Sequence, residues 1–191
     1  MENTKKRFID IIFRYLLLLI VGLPNLFIFY FIFTPLTIYP IFYILNIFFD
    51  ANLIGNNIYI GNYLIEIVKA CVAGSAYYLL LILNLSTPNI SIIKRTKMVL
   101  MSFLIFLAIN LFRIIVLSFM YLNNSIYFDI VHSVFWILMS TIFVVGIWFY
   151  QVKYYNINST PFYTDLKLLH KKSIFTSEMP WNFLSLKLKK R

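Results

Sequence analysis

Three side chains in this sequence could do chemistry together: Cys71, Arg113 and His132. Each lies in an apolar run, Cys71 in EIVKACVAGSAYYLL, Arg113 in AINLFRIIVLSFM and His132 in YFDIVHSVFW. A thiol supplies a nucleophile, a guanidinium can hold a developing oxyanion, and an imidazole can carry a proton. Those are the parts acyl transfer requires. Each residue also has a plainer reading. A buried cysteine usually behaves as a small apolar side chain, and a lone histidine in an apolar helix is more often a satisfied structural residue. Arg113 can snorkel outward or pair structurally with Asp129 or Glu66. Against that, a charge at mid-helix costs roughly 2.5–3.5 kcal/mol on insertion scales, which makes Arg113 a functional candidate by default.

Spacing adds supporting residues. Asn110 lies one turn before Arg113 on the same helical face and could hold the guanidinium. Asp129 precedes His132 by one turn, where its carboxylate can fix the tautomer of the ring. Lys69, Arg113 and a helix N-terminus would each favour a Cys71 thiolate. Ala73, Gly74 and Ser75 leave room for another chain to approach.

The elements that must position these residues are membrane helices. Hydrophobic residues make up 61% of the 191 and charged ones 13%, about half the charged share of a soluble protein. The apolar residues gather in runs near the ~20 residues that cross a bilayer. Net charge is +10, but the basic residues cluster beside apolar segments, so orientation and lipid contact explain them better than nucleic acid. One cysteine and two histidines exclude an internal disulfide and are too few for a typical zinc site. No metal or cofactor is expected. The first apolar run is too long for a signal-peptide core and is followed by no small-residue cleavage site, so it is expected to remain as a helix.

The expected fold is all-α, a polytopic transmembrane bundle of about four spans with one short re-entrant or interfacial segment. The spans fall at 11–33, with a kink at Pro24, and at 67–86, 98–121 and 126–150. The short apolar stretch 36–49, with Pro40 inside, is the re-entrant piece, and 50–65 is a loop outside the bilayer core. Every Lys and Arg except Lys69 and Arg113 then lies on one side, which the positive-inside rule assigns to the cytoplasm. Cys71, Arg113 and His132 all fall near the opposite face; at 1.5 Å per residue Arg113 is roughly 12 Å deep and His132 roughly 8 Å. Residues 1–150 form the membrane-embedded domain and 151–191 a basic cytoplasmic tail. Asn123-Asn124-Ser125 is an outward sequon.

The motifs resemble those of the exosortase/archaeosortase family of membrane proteases. Ala70-Cys71-Val72-Ala73-Gly74 matches its cysteine motif, Asn110-Leu111-Phe112-Arg113 its Asn-x-x-Arg on the next helix, and His132 its histidine on the one after. ACVAGSAYYLLLILNLST at 70–87 and TPLTIYP at 34–40 are most similar to the pacearchaeosortases, an archaeal branch of small-genome lineages. The resemblance covers roughly 25–150 and not the tail. It implies a cysteine transpeptidase in the cell membrane, multi-pass, with its site facing outward and both termini cytoplasmic. Its substrates would be secreted proteins bearing a C-terminal motif, a transmembrane helix and a basic end. It would pass the new C-terminus to a lipid or another amine. The chain has fewer spans than larger members and no extra domain. The alternative from another class is a non-catalytic membrane subunit or transporter component, with Arg113 in a structural role.

Overall fold

The computed structural model describes residues 2–157 apart from Asn89; the tail expected over 151–191 lies, from 158 onward, outside the described residues. Helix α1 (Glu2–Gly22) and helix α2 (Phe27–Phe48) are separated by a tight turn in which Asn25 and Leu26 take left-handed backbone angles, φ 50° and 59°. The span expected over 11–33 therefore straddles a break rather than a kink. Pro24 has no N–H for the preceding turn and disfavours helix at Leu23, so the helix ends there. The stretch 36–49 is corrected as well. It is not a separate re-entrant piece but the continuation of α2, which runs through Pro35 and Pro40. Among apolar neighbours no water competes for the backbone groups a proline frees, so the helix persists.

Residues 50–65 are not a loop, and the fold is not all-α. Strands β1 (Ala51–Ile54), β2 (Asn57–Ile60) and β3 (Tyr63–Glu66) form an antiparallel sheet in the order β1-β2-β3. Both hairpins turn on two residues, Gly55-Asn56 and Gly61-Asn62, with the glycines at φ +64° and +55°, the positive angles such turns demand. Register pairs Ala51 with Ile60 and Asn57 with Glu66. Ile58 and Ile60 are buried on one face, and β1 packs against α2.

The chain then enters a four-residue helix α3 (Lys69–Val72), breaks at Ala73, and continues as α4 (Gly74–Leu85). Helix α5 (Ile92–Leu122) has 31 residues, about 46 Å of helix. Helix α6 (Phe128–Ile137), a π-helical segment (Leu138–Phe143) and α7 (Val144–Tyr154) follow, bent by 43° between the two α-helical arms. The whole is mostly helical. α2 and α5 are long and apolar enough to cross a membrane, and the bent α6–α7 pair makes a third if it is one span.

α5 is the central post, packed against α2, α3, α4, α6 and α7. Tyr77 of α4 stacks on Phe33 at 3.6 Å and meets Phe103 and Phe106 edge-on at 5.5 and 4.9 Å. Contact points fix the helix directions. Arg14 donates to the Leu85 carbonyl at 2.8 Å, Tyr78 donates to the Leu18 carbonyl at 3.0 Å, and Gly74 abuts the Tyr30 ring. So α1 and the start of α2 together run antiparallel to α4. Only 33% and 28% of the apolar windows of α2 and α5 are buried. The remaining Phe, Leu and Ile surface suits hydrocarbon, where close packing and internal hydrogen bonds replace water exclusion as the cohesive forces.

Candidate active site

The site is built around the interruption at Ala73. Ala73 sits at φ 57°, ψ 44°, a left-handed conformation costing an L-residue about 1–2 kcal/mol. Breaking the helix there deprives the Cys71 carbonyl of an amide partner in the next turn. Asn110 takes it: its side-chain Nδ2 donates to the Cys71 carbonyl at 2.8 Å, and Arg113 Nη2 approaches the same oxygen at 3.4 Å. Asn110 and Arg113 thus pin the backbone of the residue carrying the thiol. Asn110, expected to hold the guanidinium of Arg113, holds the Cys71 carbonyl instead. One turn of helical spacing puts both side chains on the α5 face that meets the break, and both reach a common acceptor rather than each other.

On the sheet side of this junction lies a cavity of about 310 Å³, within the size range of ligand pockets. Cys71 from α3, Arg113 from α5 and His132 from α6 all line it, with Glu66 of β3 and Tyr121 and Ser118 of α5. The structure therefore brings the three sequence candidates to one space. Cys71 is partly exposed and His132 exposed; the imidazole stacks on Phe128 at 5.7 Å. Arg113 is 4% exposed and its Nε has no partner. Among the described residues it makes no ion pair with Asp129 or Glu66, the two carboxylates a structural role would have called on.

The remaining supporting residues sit elsewhere. Lys69 lies over the Tyr30 ring at 5.5 Å and lines a second, smaller cleft of about 100 Å³ with Ser75, Arg113 and Trp136. Asp129 makes no hydrogen bond or ion pair to His132 among the described residues and is not part of the cavity wall. It occupies the first turn of α6, where a carboxylate complements the helix dipole. The room left by Gly74 is used by this chain's own Tyr30, whose ring would be 2.8 Å from an added Cβ. In the sequence Glu66 stands out only as a possible structural partner of Arg113. Nothing local marked it as a wall of the site, because the turn that brings β3 beside α5 is a tertiary feature. No family model, curated protein or solved structure matches the chain.

Proposed function

We propose that this protein is a membrane-embedded cysteine transpeptidase that cleaves C-terminal sorting signals of secreted proteins. The observation that carries the proposal is the single cavity lined by Cys71, Arg113 and His132, contributed by three separate elements. The family resemblance of the motifs around them points the same way. In the proposed reaction the Cys71 thiolate attacks the scissile carbonyl carbon. Arg113 donates to the oxyanion that forms, the role that pre-set donors perform best in a water-poor site. As the C–N bond breaks, His132 gives its proton to the departing amine and leaves a thioester on Cys71. An incoming amine or water attacks that thioester and loses a proton to His132, and Cys71 departs as thiolate. Lipid is the environment and, through an amine-bearing headgroup, a candidate acceptor.

In this reading the bundle crosses the membrane four times. The crossings are α1 with α2, α3 with α4, α5, and α6 with α7, and the sheet stands on the outer face. The basic residues Arg14, Lys94, Arg95 and Lys153 then share the cytoplasmic end with the tail. Cysteines placed at Asn123 and Thr96 in a Cys71→Ala background, probed with a membrane-impermeant maleimide, test the orientation. Intact cells should label the Asn123 site and spare the Thr96 site, and the reverse pattern overturns the arrangement.

The chemistry is tested by Cys71→Ala. Exchanging one small side chain for another costs little packing, so the variant should accumulate in the membrane. The secreted proteins of the same cell that carry a C-terminal helix and basic end should then keep that end. Processing of those proteins at the wild-type rate by Cys71→Ala would reject the transpeptidase reading in favour of a structural membrane subunit.

A further inference from the structure

The open edge of the sheet faces the cavity, and the register shows which of its main-chain groups are unused. The Ile67 N–H donates to the Asn56 carbonyl at 3.0 Å. Pairing alternates along an antiparallel ladder, so Ile65 with Ile58 and Tyr63 with Ile60 are the hydrogen-bonded pairs. Leu64 with Tyr59 and Glu66 with Asn57 are the open ones. The N–H and C=O groups of Leu64 and Glu66 therefore turn away from β2. No further strand follows β3 in the sheet. Leu64 and Glu66 are exposed, and both line the cavity that holds Cys71, Arg113 and His132.

A donor and an acceptor repeated at every second residue of an exposed strand are matched by another extended chain. The groups beside Cys71 fit the same occupant. Arg113 lines the cavity beside Cys71, and among the described residues its guanidinium carries no ion pair, which leaves its charge for a peptide carbonyl. The far end of the edge is closed, because the Tyr63 hydroxyl accepts from Asn124 Nδ2 at 2.9 Å and its ring meets Tyr121 edge-on at 5.7 Å. The usable length is thus the short run from Leu64 toward Cys71, enough for about three to four extended residues at ~3.3 Å each.

We propose that the segment of the substrate flanking the scissile bond binds as a fourth strand on β3. It pairs with the main chain of Leu64 and Glu66 and so lays its carbonyl against Cys71. The proposal rests on the transpeptidase reading and adds how the substrate is held. Recognition is through main-chain groups, which require an extended conformation more than a particular sequence. Alternate side chains of the bound segment would face the apolar wall at Ile114 and Leu117.

The probe is acetyl-tetra-alanyl chloromethyl ketone, applied to the full-length protein in detergent, with alkylation of Cys71 followed by mass spectrometry. Iodoacetamide serves as the reagent that needs only an accessible thiol. N-methylation of the alanines one at a time should slow alkylation by about three- to tenfold, the worth of one hydrogen bond, at alternate positions only. Leu64→Pro and Glu66→Pro remove outward-pointing N–H groups and leave the β2–β3 ladder intact. Each should slow the peptide reagent and leave iodoacetamide unaffected. Equal rates across the N-methyl series would overturn strand addition while leaving the cysteine chemistry standing. A Leu64→Pro protein that reacts with the peptide reagent at the wild-type rate would also overturn it. Failure of both reagents to modify Cys71 would remove the transpeptidase reading, and strand addition with it.

Discussion

Polar side chains occur at both ends of the bundle, and the two ends use them differently. Toward the Leu85 end, Asn84, Ser102 and Gln151 are each 0% exposed and form a relay. Asn84 donates to Ser102 at 2.9 Å, Ser102 donates to Gln151 at 2.8 Å, and Gln151 donates to the Met98 carbonyl at 2.7 Å. Arg14 and Arg95 both donate to the Leu85 carbonyl, at 2.8 and 3.1 Å, satisfying the C-terminal end of α4. Toward the sheet, Asn110 and Arg113 also reach a single carbonyl, that of Cys71, but there the helix is broken and a cavity adjoins. Residue type alone does not distinguish the arginines at the two ends. What sets Arg113 apart is its place, beside a broken helix and on the wall of a cavity.

That contrast can be broken by substitution at either end. The largest effect expected is for Arg113→Lys, which keeps the charge but loses the planar two-donor fork. Processing of a co-expressed substrate should fall by roughly 10²–10³-fold, the usual cost of one oxyanion donor, with the protein still present in the membrane. Near-normal processing by Arg113→Lys would mean that the guanidinium holds α3 in place and nothing more. Asn110→Ala comes next. Stripping the Cys71 carbonyl of its main donor should lower thermal stability in detergent by about 1–3 kcal/mol and slow substrate processing as the thiol loses its position. A stability loss with no change in processing per molecule would make Asn110 purely structural.

Ser102→Ala probes the other end. Breaking the relay leaves Gln151 Oε1 buried and unpaired, so the melting temperature should drop by an amount corresponding to about 1–3 kcal/mol, while processing per folded molecule stays at wild type. A selective loss of processing there would tie the two ends together and dissolve the distinction. The smallest effect belongs to removal of residues 171–191, across the proposed membrane from the site, which should change neither insertion nor processing. If the truncated, stably expressed protein stops processing, the tail docks the substrate's basic end.

Some of this was legible in the residues alone. Long apolar runs, the basic clusters and three out-of-place polar side chains required no tertiary information, because a charge or a thiol in an apolar helix stands out by composition. Even the sheet had a local signature: Gly-Asn twice, six residues apart, between alternating Ile and Tyr over 53–65, is a two-residue hairpin pattern. It was hidden by the expectation that a polar stretch between membrane helices is a loop. The helix breaks were harder. A helix lined by lipid on one side and protein on the other is apolar all round, so periodicity marks neither its ends nor its neighbours. Nothing in the local sequence puts Ala73 in a left-handed conformation. Asn110 and Arg113 taking the Cys71 carbonyl, and Tyr30 closing on Gly74, hold it there from 30 or more positions away. The sequence by itself determined which residues could react and that the runs around them are long and apolar enough for a membrane. Only the tertiary structure decided that Cys71, Arg113 and His132 share a cavity with an open strand edge, because hydrogen-bond partners across helices depend on packing that no local pattern encodes.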